Sequence, residues 1–284
     1  MFKKIFFVTA LLFASLLSAK PVVIASIAPV GYLAKAVGGD KIEVQSLAKG
    51  DVHSYEPKPN DMKAVAKARI FIAAGLEFEE AWIPRFKASA KNLVVVQSDA
   101  KIAKLKEERG EQAEHDEKHE AHADPHVWLN PMLAITMARN ISDALIDMDK
   151  ANKDFYLENF QKLMNDLLAF DESAKNELAG LKNRKFVVYH PAWGYFAEHY
   201  DLEQISIERN GKEPKIDEMA STVKMIKDEN IKVIFADPNR SQKSAQVLAS
   251  QTGAKVELLD PLGYNLLENL KIAVRAIKDA NSPK

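Results

Sequence analysis

Ala151 to Leu178 contains no glycine and no proline. This uninterrupted stretch limits the fold more than any other feature of the chain. Tyr156, Phe160, Leu163, Leu167, Phe170, Ala174 and Leu178 recur at helical spacing, and Gly180 supplies a natural stop. At 1.5 Å per residue such a helix is roughly 40 Å long. Lying near the middle of a 284-residue chain, it predicts two lobes joined over residues 150–181 by a stiff connection. The lobes are then residues 20–149 and 182–284.

Each side of the helix carries the same kind of pattern. Short β-branched runs lie at Pro21–Ile27, Ile42–Leu47, Ile70–Ala73 and Leu93–Val96 before it. After it they lie at Phe186–Tyr189, Gln204–Ile207, Val233–Ala236 and Val256–Leu259. Continuous apolar runs of this length suit parallel strands buried on both faces. Helical segments separate them: Pro29 to Val37, Asn60 to about Ala68, and about Glu79 to Ala90. Further helices run from Asn130-Pro131 to about Asp149, and near Trp193–Tyr200, Ile216–Glu229, Ser241–Thr252 and Tyr264–Asp279. Alternation of strand and helix predicts an α/β fold in which each lobe has a mostly parallel sheet flanked by helices. Asn60 and Asn130 are expected to cap their helices.

Composition removes several functions. A formal net charge of −1, with no Arg-rich helix, argues against nucleic acid or an anionic membrane as partner. The chain has no cysteine, so thiol catalysis and disulfides are excluded. No Gly-x-Ser-x-Gly, phosphate-binding loop or dinucleotide fingerprint occurs. The N-terminus reads as a secretory signal peptide over residues 1–19. It has a basic start at Lys3-Lys4, an apolar run from Ile5 to Leu17, and cleavage expected after Ala19. With no lipobox cysteine, a soluble periplasmic protein without a lipid anchor is expected.

Four of the seven histidines lie between Glu114 and Pro131: His115, His119, His122 and His126. The stretch divides in two. Residues 107–123 are acidic and polar and read as a solvated loop. His115-Asp-Glu-Lys-His119 has zincin spacing, but Asp116 stands where a glutamate base is needed. Asp124-Pro-His-Val-Trp-Leu-Asn-Pro131 is apolar and turn-rich, and reads as part of a shaped site.

Four ligand-type residues follow strands: His53 after the second, His126 after the fourth, His190 at the end of the fifth, and Asp260 at the end of the last. Open α/β sheets bind ligands outside the carboxyl ends of their strands. Two lobes facing along those edges would bring the four groups to one cleft. Each residue alone has an ordinary explanation: a surface histidine, a strand-to-turn Asp-Pro, a helix cap. Three of the four also sit beside a proline at a strand exit. Three imidazoles and a carboxylate suit zinc, whereas more oxygen donors would favour manganese. A closed set of four leaves no open position for a metal hydrolase, the competing class of function.

At these residues the chain resembles the zinc-binding solute-binding proteins of bacterial ABC transporters, the ZnuA-like members of a cluster that also holds manganese binders. Gly50-Asp-Val-His-Ser-Tyr-Glu-Pro57, Asp124 to Pro131, Tyr189-His-Pro-Ala-Trp-Gly-Tyr-Phe196 and Leu259-Asp-Pro-Leu-Gly263 are similar to that family's four ligand motifs. The resemblance covers essentially the whole mature chain. It implies two lobes around a metal cleft, Zn²⁺ capture by His53, His126, His190 and Asp260, and delivery to a membrane permease rather than catalysis. His190 at the third position favours zinc; glutamate there would favour manganese. The resemblance also implies a His-rich acidic loop, matched by His115, His119 and His122 as weak auxiliary metal ligands. Glu213-Pro214-Lys215 departs from the family's usual Glu-Pro-Ser. A monomer is expected. An adhesive surface role, assigned to some related manganese binders, fits the soluble leader poorly. From the ordinary histidine pKa, zinc affinity is expected to fall below about pH 6.5.

Overall fold

The computed structural model describes residues 20–106, 123–208 and 216–281. Residues 1–19, where a signal peptide is expected, most of the acidic loop with His115, His119 and His122, and Glu213-Pro214-Lys215 lie outside the described residues.

Two four-stranded sheets, each wholly parallel, form the frame. The first has the order β2-β1-β3-β4, from β1 (Val22–Ile27), β2 (Glu43–Ala48), β3 (Ile70–Ala73) and β4 (Val94–Gln97). The second repeats that order as β6-β5-β7-β8, from β5 (Lys185–Val188), β6 (Glu203–Ser206), β7 (Val233–Ala236) and β8 (Lys255–Leu258). Burial follows strand position. β3 and β7 are buried throughout, whereas the edge strands β4 and β8 are half-exposed or exposed. Central parallel strands are covered on both faces, which explains their unbroken apolar sequences.

The helices flanking the first sheet are α1 (Ala28–Gly38), α2 (Pro59–Val65), α3 (Glu77–Ser89) and α4 (Pro131–Met148). Those of the second are α6 (Gly194–His199), α7 (Ile216–Asp228), α8 (Lys243–Thr252) and α9 (Leu266–Asn281). Capping is partly as expected. Asn130 caps α4, its Oδ1 accepting from the backbone N–H of Met132 and Leu133 at 2.9 and 3.3 Å. Asn60 is not a cap: α2 begins one residue earlier, and Asp61 reaches back to accept the Lys58 N–H at 2.8 Å. The start of α3 is fixed the same way. Buried Glu79 accepts from the N–H groups of Ala74, Gly75 and Leu76 at 2.8–3.0 Å. Backbone donors at a helix start have no partner inside the helix, so a carboxylate three residues in is a natural acceptor.

The long helix is α5 (Lys153–Leu178), entered through a single 3₁₀ turn at Lys150–Asn152. Its buried stripe is Tyr156, Phe160, Leu163, Leu167, Phe170, Asp171, Ala174 and Leu178, which contains every apolar position of the sequence pattern. α5 packs on α1 and α4 of the first lobe and on α9 of the second. One apolar core runs through Val23, Trp128, Leu167, Phe186, Phe235 and Leu270. The connection is therefore a spine built into a shared core, not an isolated rod between two cores.

Candidate metal centre

The carboxyl ends of both sheets meet across a cleft, and three histidines converge there. His53, His126 and His190 have ring centroids 5.2–5.6 Å apart, forming a nearly equilateral triangle. One nitrogen from each lies within 4.8 Å of the others. Each imidazole is aimed by a different local device.

His53 stands on the loop after β2. Gly50 opens that loop with φ +98°, a conformation that a residue with a Cβ adopts only under strain. Asp51 then ties the loop together: its Oδ1 accepts the His53 N–H at 3.2 Å and its Oδ2 accepts the Ser54 hydroxyl at 3.1 Å. His53 Nε2 is fully buried, with no hydrogen-bond partner among the described residues. A buried polar atom left in this state costs free energy unless a ligand takes it up.

His126 is held by the residue two before it. Asp124 Oδ1 accepts the His126 backbone N–H at 2.9 Å and lies 2.8 Å from Nδ1. An ionised carboxylate only accepts, so Nδ1 carries the hydrogen and Nε2 presents its lone pair. The rest of the motif is assigned in the same way. Buried Trp128 donates Nε1–H to the Pro261 carbonyl of the second lobe at 2.7 Å, and Asn130 caps α4. Tyr195 on α6 joins the lobes again. Its hydroxyl donates to the Asp124 carbonyl at 2.7 Å and accepts the Leu105 N–H at 2.8 Å.

His190 follows β5 and is 8% exposed. Its Nδ1 lies 2.9 Å from Glu208 Oε2, just beyond β6. Arg240, beyond β7, donates Nη1–H to the same oxygen at 2.5 Å. Glu208, held ionised, can only accept, so Nδ1 donates its hydrogen to it; Arg240 donates to the same oxygen, and the 2.9 Å approach of Nη1 to Nδ1 is a consequence of that sharing.

Asp260 is outside the triangle. Its Oδ1 accepts from Asn239 Nδ2 and from the Leu262 N–H, both at 2.9 Å. Asn239 also donates to Asp237 Oδ1, at 3.0 Å from Nδ2 and 2.7 Å from its backbone N. The seventh histidine, His199, sits elsewhere, its Nε2 2.6 Å from Asp171 of α5.

The electrostatics keep the site in a metal-ready form. Burial, followed by the His126 and His190 rings and Arg240, lowers the His53 pKa from 6.5 to about 4. His190 is also lowered, because burial, His126 and Arg240 outweigh its bond to Glu208. Burial alone would raise the pKa of Asp51 and Glu208, but Arg240 and the bonds to Ser54, His53 and His190 hold both below the usual carboxylate range. Asp237 moves the other way, raised by burial and by the nearby Asp260 carboxylate. The lowered pKa values of His53 and His190 favour neutral imidazole donors, which suit a borderline-soft dication better than a hard, oxygen-seeking one. His53 therefore stays unprotonated well below the pH 6.5 expected from an ordinary imidazole.

The orienting groups Asp124, Glu208 and Arg240 were not assigned from sequence, nor was Asp51. Glu208 lies two residues after β6 and Arg240 four after β7, in the loops beyond strand ends, the positional signal that marked the histidines.

The model of the ZnuA family, described as zinc-uptake complex component A, periplasmic, matches residues 23–280. The high-affinity zinc uptake system protein ZnuA of Bacillus subtilis (strain 168) is 30% identical over 91% of this chain and 86% of its own. A crystal structure of ZnuA superposes with a TM-score of 0.86 at 36% identity, covering 93% of this chain and all of the other. A ZnuA deletion mutant with zinc bound also gives 0.86, at 34% identity over 93% of this chain and 99% of the other.

Proposed function

The chain belongs to the ZnuA family of periplasmic zinc-uptake components, and from that premise we propose that it captures Zn²⁺ through His53, His126, His190 and Asp260. It captures zinc for import by an ABC transporter, a function in line with its zinc-uptake relatives. The family is one of transport components and not of enzymes. Within that reading the bound ion is cargo, handed unchanged to a membrane permease from the periplasm.

One observation carries the assignment: three imidazoles from three separate loops converge while the Nε2 of His53 is buried and unpartnered. Capture needs no proton release from His53, because its depressed pKa leaves it neutral. Asp124 and Glu208 fix the tautomers of His126 and His190 and raise their basicity as donors. Asp260 supplies charge compensation as the fourth ligand. The Trp128 bond to Pro261, the next residue, holds its loop against the His126 loop. Three nitrogens to one carboxylate favour zinc over manganese.

Release requires the lobes to part. With α5 packed on helices of both lobes and one core shared between them, we expect a small tilt and not a wide hinge. The site assignment is tested by measuring zinc affinity of His126→Ala and His190→Ala by chelator competition. Loss of one tightly held zinc in each is expected. Wild-type affinity in both would refute the assignment. Native mass spectrometry before and after EDTA gives the stoichiometry independently.

A further inference from the structure

Arg240 belongs to the second lobe, yet it reaches the first. Its Nη1 donates to Glu208 Oε2 at 2.5 Å, and its Nη2 donates to Asp51 Oδ1 at 3.1 Å. Those two carboxylates are the ones that arrange two ligands. Glu208 receives the Nδ1 of His190, and Asp51 receives the backbone N–H of His53. A continuous chain of contacts thus runs from His53 through Asp51, Arg240 and Glu208 to His190. It joins residues 189 apart in sequence and crosses the cleft. His126 is outside this chain, held by Asp124 within its own loop.

We infer that Arg240 is an interlobe clasp, a positioning residue that holds His53 and His190 in register and so sets how fast the site gives up its metal. The inference rests on the reading of the triangle as a zinc site. The physical case has three parts. Neutral imidazoles do not attract one another, so their approach must be imposed from outside. A planar guanidinium can bridge two carboxylates at fixed geometry, which a single ammonium cannot. The bridge is also only partly buried, at 17% exposure for Arg240 and 34% for Asp51, so a docking partner has access to it. Breaking the Asp51 arm frees the first lobe's ligand loop without disturbing the Glu208–His190 pair.

Charge and positioning act in opposite directions here, which makes the clasp testable. Removing a cation beside a dication site would by itself tighten binding. Faster release on removal therefore reports lost positioning. Wild type, Asp51→Asn, Arg240→Gln and Arg240→Lys, each loaded with one equivalent of Zn²⁺, are mixed with excess chromophoric chelator and followed by stopped flow. Asp51→Asn and Arg240→Gln are expected to release zinc about 10–100-fold faster, the usual range for groups that orient metal ligands. Arg240→Lys should stay fast, and Co²⁺ spectra of the fast variants should show altered d–d bands. Release within twofold of wild type in Asp51→Asn, or full rescue by Lys, would overturn the clasp. If Arg240→Gln does not fold, Arg240→Lys decides the matter, because it keeps the cation and loses only the two-armed bridge. His126→Ala separates the two readings. If it keeps wild-type affinity, the zinc site itself is wrong. If it loses zinc while Asp51→Asn releases normally, only the clasp is wrong.

Discussion

Asp124 and His126 form a closed unit spanning three residues: one carboxylate oxygen lies 2.9 Å from the His126 backbone nitrogen and 2.8 Å from its Nδ1. The aspartate fixes both the turn and the tautomer, so the imidazole's remaining nitrogen has only one direction to face.

Asp124→Ala should therefore weaken zinc binding by about 10–100-fold while leaving the lobes folded. Chelator competition measures the affinity and circular dichroism the fold. An unchanged dissociation constant would mean that packing against Trp128, whose ring centroid is 5.2 Å from that of His126, orients the imidazole without help.

Trp128→Phe removes the indole donor and leaves the Pro261 carbonyl without its bond. An orphaned buried acceptor costs about 1–3 kcal/mol, and the smaller ring adds a packing loss. Thermal melting in EDTA should fall by several degrees, and zinc release should accelerate because the Asp260 loop is no longer pinned to His126. A melting temperature equal to wild type would show that the interlobe bond contributes nothing.

The pH response follows from His53. Its folded pKa, about 4, lies below the 6.5 of an ordinary imidazole, so between these values the unfolded chain binds the extra proton. Stability of the metal-free protein is unaffected by this group above pH 6.5 and declines as pH falls towards 4. The contribution is on the order of 2–3 kcal/mol across that window. Denaturant unfolding of wild type and His53→Gln from pH 7 to 4.5 should show wild type losing stability faster. The imidazole resonance of His53 should titrate near pH 4; a midpoint at 6 or above would contradict the buried, crowded setting.

We propose a separate, weaker role for His115, His119 and His122: loose collection of zinc that is then passed to the tight site. Deleting residues 107–122 should leave the tight site intact and remove only low-affinity equivalents, as counted by equilibrium dialysis. Identical total zinc in both proteins would reduce the segment to a solvated insertion.

Much of the architecture was legible because its signals are local. Strand identity came from β-branched runs of four to seven residues, the spine from an apolar stripe without breakers, and the α4 cap from Asn130-Pro131. The errors were local too. Asn60 was preferred as a cap because asparagine is a good one, but Asp61 had the longer reach back to Lys58. The histidines were picked out by a positional rule, that ligands gather at the carboxyl ends of parallel strands. The rule gives no distances, and applied to Glu208 and Arg240 it would have found two further members of the site.

By itself, then, the sequence determined two α/β lobes, a rigid connection, the absence of thiol chemistry, and a short roster of metal-seeking residues. These depend on propensity and periodicity over a few neighbours. Only the tertiary structure decided which of them meet. It closed His53, His126 and His190 into one triangle, left Asp260 bonded to Asn239 beside it, and joined Asp51 to Arg240 across the cleft. Such contacts depend on how two sheets pack against one helix, and no window of adjacent residues encodes that geometry. For the same reason the depressed pKa of His53 was out of reach: it comes from burial and from rings and charges that only the folded chain brings near.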